Sequence, residues 1–447
     1  MPMRQMILTG FLQAQNCSVL ASTWRHPEGR TDFLSADYYQ HIARVLEAGK
    51  FHLAFFDDRL AMPDMLGGDH AHTVAHGIRC VKLDPIVVLM TMAMATSRLG
   101  LGATYSTTYY EPFHVARLFQ TLDHMSGGRA AWNIVTSVND GEAMNMGHEE
   151  HLAHDLRYDR ADEFMEVVLG HWDAWEDGAI LMDKAAGRFA DPAKIHRLDH
   201  RGAFFRSRGP FTVPRTPQGH PVLIQAGASG RGREFAARWG EVLFVAQDSI
   251  PAARKAYAEM KAATTALGRD PEKLSIGRLT YPVAAASKAE AEDKMAVIEA
   301  GYDEVDGLSL LSEAMNFDFA KRGLDEAFSD ADIAAMTGIQ AMRNRVLEAV
   351  GPNPTPRDFL RVTGRGRPHN ALVGGPKEIA DVLEEWFAAR ACDGFVIAAS
   401  AIPGTYEDFV THVVPELQKR GLFHQEYEGP TLRENLGLAR PERGWWK

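Results

Sequence analysis

The chain has 447 residues, 45% of them hydrophobic and 24% charged, the profile of a folded globular protein rather than a disordered or fibrous one. Its formal net charge of −11 argues against a general nucleic-acid or anionic-membrane partner and leaves the charge of a small-molecule pocket open. Three scattered cysteines, Cys17, Cys80 and Cys392, form no CxxC and no disulfide framework, which fits a reducing cytoplasm.

The N-terminal MPMRQMILTGFLQAQ holds too short an apolar run for a signal peptide. Within it MILTGFL (6–12) reads as a strand, followed by a helix at ADYYQHIARVLEAGK (36–50) and a strand at FHLAFFDD (51–58). A glycine-flanked histidine loop comes next, GGDHAHTVAHG (67–77). The apolar DPIVVLMTMAMATSRLGLGA is broken by Asp84, Pro85, Ser97 and Arg98, so it reads as a buried helix (85–97) running into a strand (99–107), not a membrane span. A helix at 111–126 with proline in its first turn leads to a strand at 128–137 and a long helix at 157–175. Strands at 221–227 and 241–247 flank the helix RGREFAARWG, and a strand at 274–286 precedes a helix near 287–300. The last pair is DGFVIAAS (393–400) and TYEDFVTHVVPELQKRG (405–421).

About eight strands alternating with helices predict a closed parallel (β/α)8 TIM barrel rather than a doubly wound open sheet. The expected organisation is one barrel domain over 1–447. It carries insertions at about 176–220 and 302–370, and a C-terminal tail (422–447) that wraps the barrel or makes a subunit contact.

In such a barrel the chemistry sits where strands end. The predicted ends carry Asp57-Asp58, Thr104-Tyr105-Ser106, Asn133 to Ser137 and Gly227-Ala228-Ser229, which suit hydrogen bonding to a polar, planar or phosphorylated ligand. In QAGASGRGREFAARWG, strand, glycine turn, Ser229 and helix make either an anion site of free backbone N–H groups or a plain N-capping serine. His154 and Tyr158 in HDLRYDRADEF stand i,i+4 beside Arg157 and Arg160, either a binding face or a surface patch. His70, His72 and His76 resemble metal ligands. A barrel hydrolase would also need histidines and an aspartate at later strand ends, where PVLIQAG, LFVAQ and GFVIAAS have none, so no metal is expected. LVGGPKEIADVLEEW opens a helix without the spacing of a dinucleotide fold.

Together STWRHP, GKFHLAFFDD, LGLGATYSTTYYEPFHVARLFQTLDHMSGGRAAWNIVTS, HDLRYDRADEF, QAGASGRGREFAA, LVGGPKEIAD, VVPELQKRGLF and TLRENLGLARP run in order from about residue 22 to 441. With them the chain resembles the bacterial-luciferase-like flavin monooxygenases, in the nitrilotriacetate and dibenzothiophene-sulfone monooxygenase subfamily. The resemblance implies a luciferase-like barrel that takes reduced FMN as cosubstrate from a separate NAD(P)H:flavin reductase. It implies oxygenation of a small organic substrate by O2 through a flavin C4a-(hydro)peroxide, with C–N or C–S cleavage or hydroxylation.

Flavin contacts then fall on Asp58, Thr104, His154, Tyr158 and Ser229, with Gly227 and Ala228 beside them and Asn133 and Thr136 as further contacts. Asp57 stands where the family usually has a small residue. Phe11, Cys17, Trp24, His26 and the His70/His72/His76 loop fall on the substrate side, with His26 or His72 assisting proton transfer. A homodimer or homotetramer in the cytoplasm is expected. The alternatives are a non-catalytic flavin-binding protein, a deazaflavin-dependent oxidoreductase, or a metal-dependent barrel hydrolase.

Overall fold

The computed structural model describes residues 4–13, 23–227, 230–364 and 371–447. Eight parallel strands form its ring: β1 (Ile7–Gln13), β2 (Leu53–Asp57), β3 (Gly100–Ser106), β4 (Ala130–Val135), β5 (Val222–Gln225), β6 (Val242–Val245), β7 (Ser275–Ala284) and β8 (Gly394–Ala398). Each predicted strand run contains one of them. Every strand pairs with its sequence neighbour in the ring. The β6–β7 ladder, from Val242↔Ser275 to Val245↔Arg278, and the β1–β8 ladder complete the closure. A ninth short strand, Ala371–Gly374, lies outside the ring and pairs with the second half of β7 (Tyr281↔Ala371).

Both faces of these strands are buried, so both parities of each run are apolar. Phe11, Leu53, Phe55, Ala131, Ile224, Val242 and Val396 pack inside the ring. Leu8, Ala54, Phe56, Leu101, Trp132, Leu223 and Ile397 face the surrounding helices. Those helices are α1 (Ala36–Ala48), α2 (Ala71–His76), α3 (Pro85–Ala95), α4 (Pro112–Ser126), α5 (Asp140–Asn145), α6 (His154–Trp172), α7 (Gly230–Trp239), α8 (Ile250–Ala266), α9 (Lys288–Ala300) and α10 (Glu304–Met315), with further helices to the C-terminus. Among the described residues, no helix is long and apolar enough to cross a membrane.

One expectation is corrected here. The histidine stretch is not all loop, because residues 71–76 form α2, which Gly77 ends in the left-handed conformation (φ 67°). Six residues are too few for a helical period to show in the sequence.

Two stretches leave the ring. Residues 176–220 carry two small hairpins, Ile180–Asp183 with Arg188–Ala190 and His200–Arg201 with Arg206–Ser207. Glu163 of α6 holds the second, accepting from the Phe204 and Phe205 amides (2.9 and 2.8 Å) and pairing with His200 (3.0 Å). Residues 304–363 are helical and have an apolar cluster of their own, in which Phe317, Phe319, Phe328 and Phe359 meet edge to face.

The C-terminal tail covers the N-terminal end of the ring. Leu432 and Leu438 join the interior cluster, and the Leu432 amide donates to the Gly128 carbonyl ahead of β4. Arg433 is 2% exposed and grips Glu241 with two bonds of 2.8 Å, while its Nε donates to the His220 carbonyl (3.1 Å). Removing one partner of such a buried pair strands the other charge. Arg433→Met should therefore lower unfolding stability by about 3–5 kcal/mol in urea denaturation. Arg433→Met combined with Glu241→Leu should recover much of that loss.

Candidate active site

At the C-terminal end of the ring the inward positions turn polar. Asp57 Oδ2 accepts from Gln13 Nε2 (2.9 Å) at the end of β1 and from Arg79 Nη2 (3.0 Å). Arg79 also reaches Glu313 of α10 (3.1 Å), and Arg59 lies 3.3 Å from the other oxygen of that carboxylate. The unusual Asp57 is thus charge-paired, and Arg79 ties the 304–363 stretch to the barrel mouth. Deeper in, Thr104 donates to the Phe56 carbonyl (2.8 Å) and the Asn133 amide donates to Thr104 Oγ1 (2.9 Å). Asn133 Oδ1 is buried and has no hydrogen-bond partner among the described residues, so it is an acceptor facing the mouth unused.

A second feature lies where α6 meets α7. The helix α6 begins at His154, so the predicted i,i+4 pair exists, with His154 and Tyr158 ring centroids 5.1 Å apart. Tyr158 is buried, and burial raises its phenol pKa against the opposing pull of the Thr136 hydroxyl and the Arg157 guanidinium. Its hydroxyl rests on the first turn of α7, where a Cβ on Gly232 would stand 2.7 Å from Tyr158 Oη. A Cβ on Gly227 would stand 2.8 Å from Gln225 Nε2 and 3.0 Å from Gly232 Cα. Gly227, Gly232 and the Tyr158 phenol therefore pack closely at the head of α7, with no room for a Cβ on either glycine, and the Gly227 amide donates to the Gln225 side chain. Ala228 and Ser229, inside that turn, lie outside the described residues. Of the nearby arginines, Arg160 binds the Thr107 carbonyl and stacks on Phe205, Arg231 bridges Asp159 and Asp162, and Arg157 donates to the Leu152 carbonyl while its buried Nε has no hydrogen-bond partner among the described residues.

Asp58 opens onto a cavity of about 400 Å³ whose walls include Arg59, Met62, Arg79, Lys82 and Asp84. Burial pushes the Asp58 carboxyl up to about 7, with Asp57 adding to the shift and Lys82 opposing it. Burial brings Lys82 down to about 8, and its ammonium has no hydrogen-bond partner among the described residues.

The expected substrate-side residues are dispersed. Phe11 sits inside the ring, its centroid 5.6 Å from that of Phe55. The Trp24 indole donates to the His76 carbonyl (2.8 Å). His26 lines a separate small recess with Glu28, Lys294 and Thr405 beyond the ends of β7 and β8, and burial lowers its pKa. His70 is 68% exposed beside Asp69, while His72 and His76 both turn to Asp306 of α10. Cys17 lies outside the described residues. Sequence reading missed Arg79, Lys82, Asp306 and Glu313; the charges set inside HGIRCVKLDP and EVDGLSLLSEAM were the available signal.

Residues 17–394 match the family model described as luciferase-like monooxygenase. Dibenzothiophene-sulfone monooxygenase of Rhodococcus erythropolis is 44% identical, with 98% of each chain covered. Nitrilotriacetate monooxygenase component A of Aminobacter aminovorans is 39% identical over 94% of each. Among solved structures, a riboflavin lyase with modified FMN and its substrate riboflavin superposes with a TM-score of 0.88 at 32% identity, covering 97% of this chain and 96% of that one. Relatives this similar over the whole ring share its oxygenase ancestry rather than that of a barrel hydrolase. The chain belongs to the luciferase-like monooxygenase family.

Proposed function

We propose that the chain is the oxygenase of a two-component system. It would take reduced FMN from a separate NAD(P)H-dependent flavin reductase and oxygenate a small organic substrate beside sulfur or nitrogen. The observation that carries this reading is the close approach of Gly227, Gly232 and the Tyr158 hydroxyl at the head of α7, at the same end of the ring as the unused Asn133 acceptor. The word "component" in the nitrilotriacetate relative's name and the FMN in the riboflavin lyase structure support the partner and the cofactor.

In this reading Gly227, Ala228, Ser229, Tyr158 and His154 seat the FMN phosphate at the head of α7. Thr104, Asn133 and Thr136 orient the polar edge of the ring. When bound, the reduced flavin supplies the electrons that activate O2. Asp58, whose carboxyl burial raises to about 7, is about half protonated at neutrality, and its protonated form donates a hydrogen bond there without a second negative charge beside the cofactor. The cavity beyond Asp58 has the volume of a small-molecule site, and its Arg59 and Lys82 favour a substrate with a sulfonyl or carboxylate group. The Asp57–Arg79–Glu313 bridge keeps the α10 wall over the mouth, where water must be excluded for coupled turnover. Of the two histidines assigned to proton transfer, His26 faces the strand ends, whereas His72 is tied to Asp306.

Turnover under oxygen-18 gas, with FMN, NADH, an added reductase and a panel of aryl sulfones, thioethers and N-carboxymethyl amines, tests this assignment. One labelled product is expected. Full diversion of reducing equivalents to hydrogen peroxide with every substrate class would overturn it. Gly232→Ala should push Tyr158 from its place and weaken FMN binding about tenfold, roughly 1.4 kcal/mol, in a fluorescence titration. Riboflavin, which lacks the phosphate, should bind the variant and the parent equally.

A further inference from the structure

One stripe of α10 presents Asp306, Ser309 and Glu313, at i, i+3 and i+7, to residues 72–79. Thr73 Oγ1 lies 3.3 Å from Ser309 Oγ, and Arg79 pairs with Glu313 at 3.1 Å. At the other end of the stripe two imidazoles share one carboxylate oxygen. His72 Nε2 is 3.0 Å and His76 Nδ1 is 2.8 Å from Asp306 Oδ1. The histidines are i,i+4 on α2 with ring centroids 4.0 Å apart, and the three ligating atoms lie within 4.8 Å of one another. Asp306 is wholly buried, whereas the side chains of His72 and His76 are 26% and 36% exposed, so the trio is anchored on one side and open to solvent on the other.

We propose that His72, His76 and Asp306 form a binding site for a divalent first-row transition ion of the zinc type. Two imidazoles and one carboxylate are a donor set for zinc, cobalt or nickel, and a poor one for calcium or magnesium, which favour oxygen. Ligands at about 2.0–2.1 Å from a tetrahedral ion stand roughly 3.4 Å apart, so each histidine–carboxylate spacing has to open by about half an ångström. As ligands the two rings present the nitrogens that face Asp306, Nε2 of His72 and Nδ1 of His76, and carry their ring N–H on the opposite nitrogen. A fourth position on the open side is left to water.

One charge opposes the ion. Arg25 Nη2 lies 4.0 Å from Asp306 Oδ2 and also donates to the Gly301 carbonyl (3.0 Å). It stands beside the carboxylate's other oxygen, and its positive charge lowers the site's affinity. The ion would staple α2, which follows Asp58 in the chain, to α10, the helix that Arg79 holds against Asp57. This is a metal clamp on the wall of the mouth, distinct from the flavin seat and independent of the FMN assignment.

The test is calorimetric titration of tag-free, chelator-stripped full-length protein with zinc sulfate. One ion per chain is expected. His72→Ala with His76→Ala, both at partly exposed positions, should weaken binding by at least roughly tenfold. Arg25→Met should tighten it several-fold. Cobalt(II) should give visible absorption bands of a four-coordinate ion in the parent and none in the double variant. Absence of binding, or equal stoichiometry and affinity in the double variant, would overturn the proposal.

Discussion

A parallel strand buried on both faces is mostly apolar along its length and gathers its polar side chains toward its C-terminal end, and this constraint organises the molecule. In β2 the run Leu53–Phe56 is fully buried, and the first carboxylates appear at Asp57 and Asp58. In β3 and β4 the inward polar groups, Thr104 and Asn133, stand in the second half of their strands and share one hydrogen bond. The opposite end is closed by Leu432, Leu438 and the Arg433–Glu241 pair. Once that end is sealed, the polar mouth is where a ligand can enter the ring.

The mouth in turn is shaped by charges that the ring cannot balance alone. Asp57, placed inward by strand alternation, needs a cation, and Arg79 supplies it from a backbone held at φ 53°. The second hydrogen-bonding arm of Arg79 goes to Glu313, which brings α10 and its aromatic cluster over the mouth. The buried Arg79 guanidinium thus links the barrel to the 304–363 stretch, beside the Arg59–Glu313 and His72/His76–Asp306 contacts. The same helix carries Asp306 two turns earlier, so the histidine pair and the arginine read one face of one element.

How much of this was legible in the sequence follows from range. The eight strands announced themselves through short apolar runs between helical periods, and His154 with Tyr158 through i,i+4 spacing. The meeting of Tyr158 with Gly232 needed the fold, although each half had been marked separately. The fate of His72 and His76 was out of reach, because their partner Asp306 lies 230 or more residues away in an insertion with no visible register to α2. Lys82 and Arg79 passed as ordinary charges flanking an apolar helix, and only burial reveals them as walls of the cavity at Asp58. Helix α8 was likewise not singled out, since its alanine-rich run carries a weak apolar stripe.

The central claim is that the turn between β5 and α7 seats the phosphate of reduced FMN. Anaerobic titration of the unmodified protein with reduced FMN and with reduced riboflavin measures it directly. The account predicts that reduced FMN binds roughly 100-fold more tightly, about 2.7 kcal/mol, because only FMN reaches the Tyr158 hydroxyl and the head of α7. Equal affinity for the two flavins, or binding of neither, would contradict it.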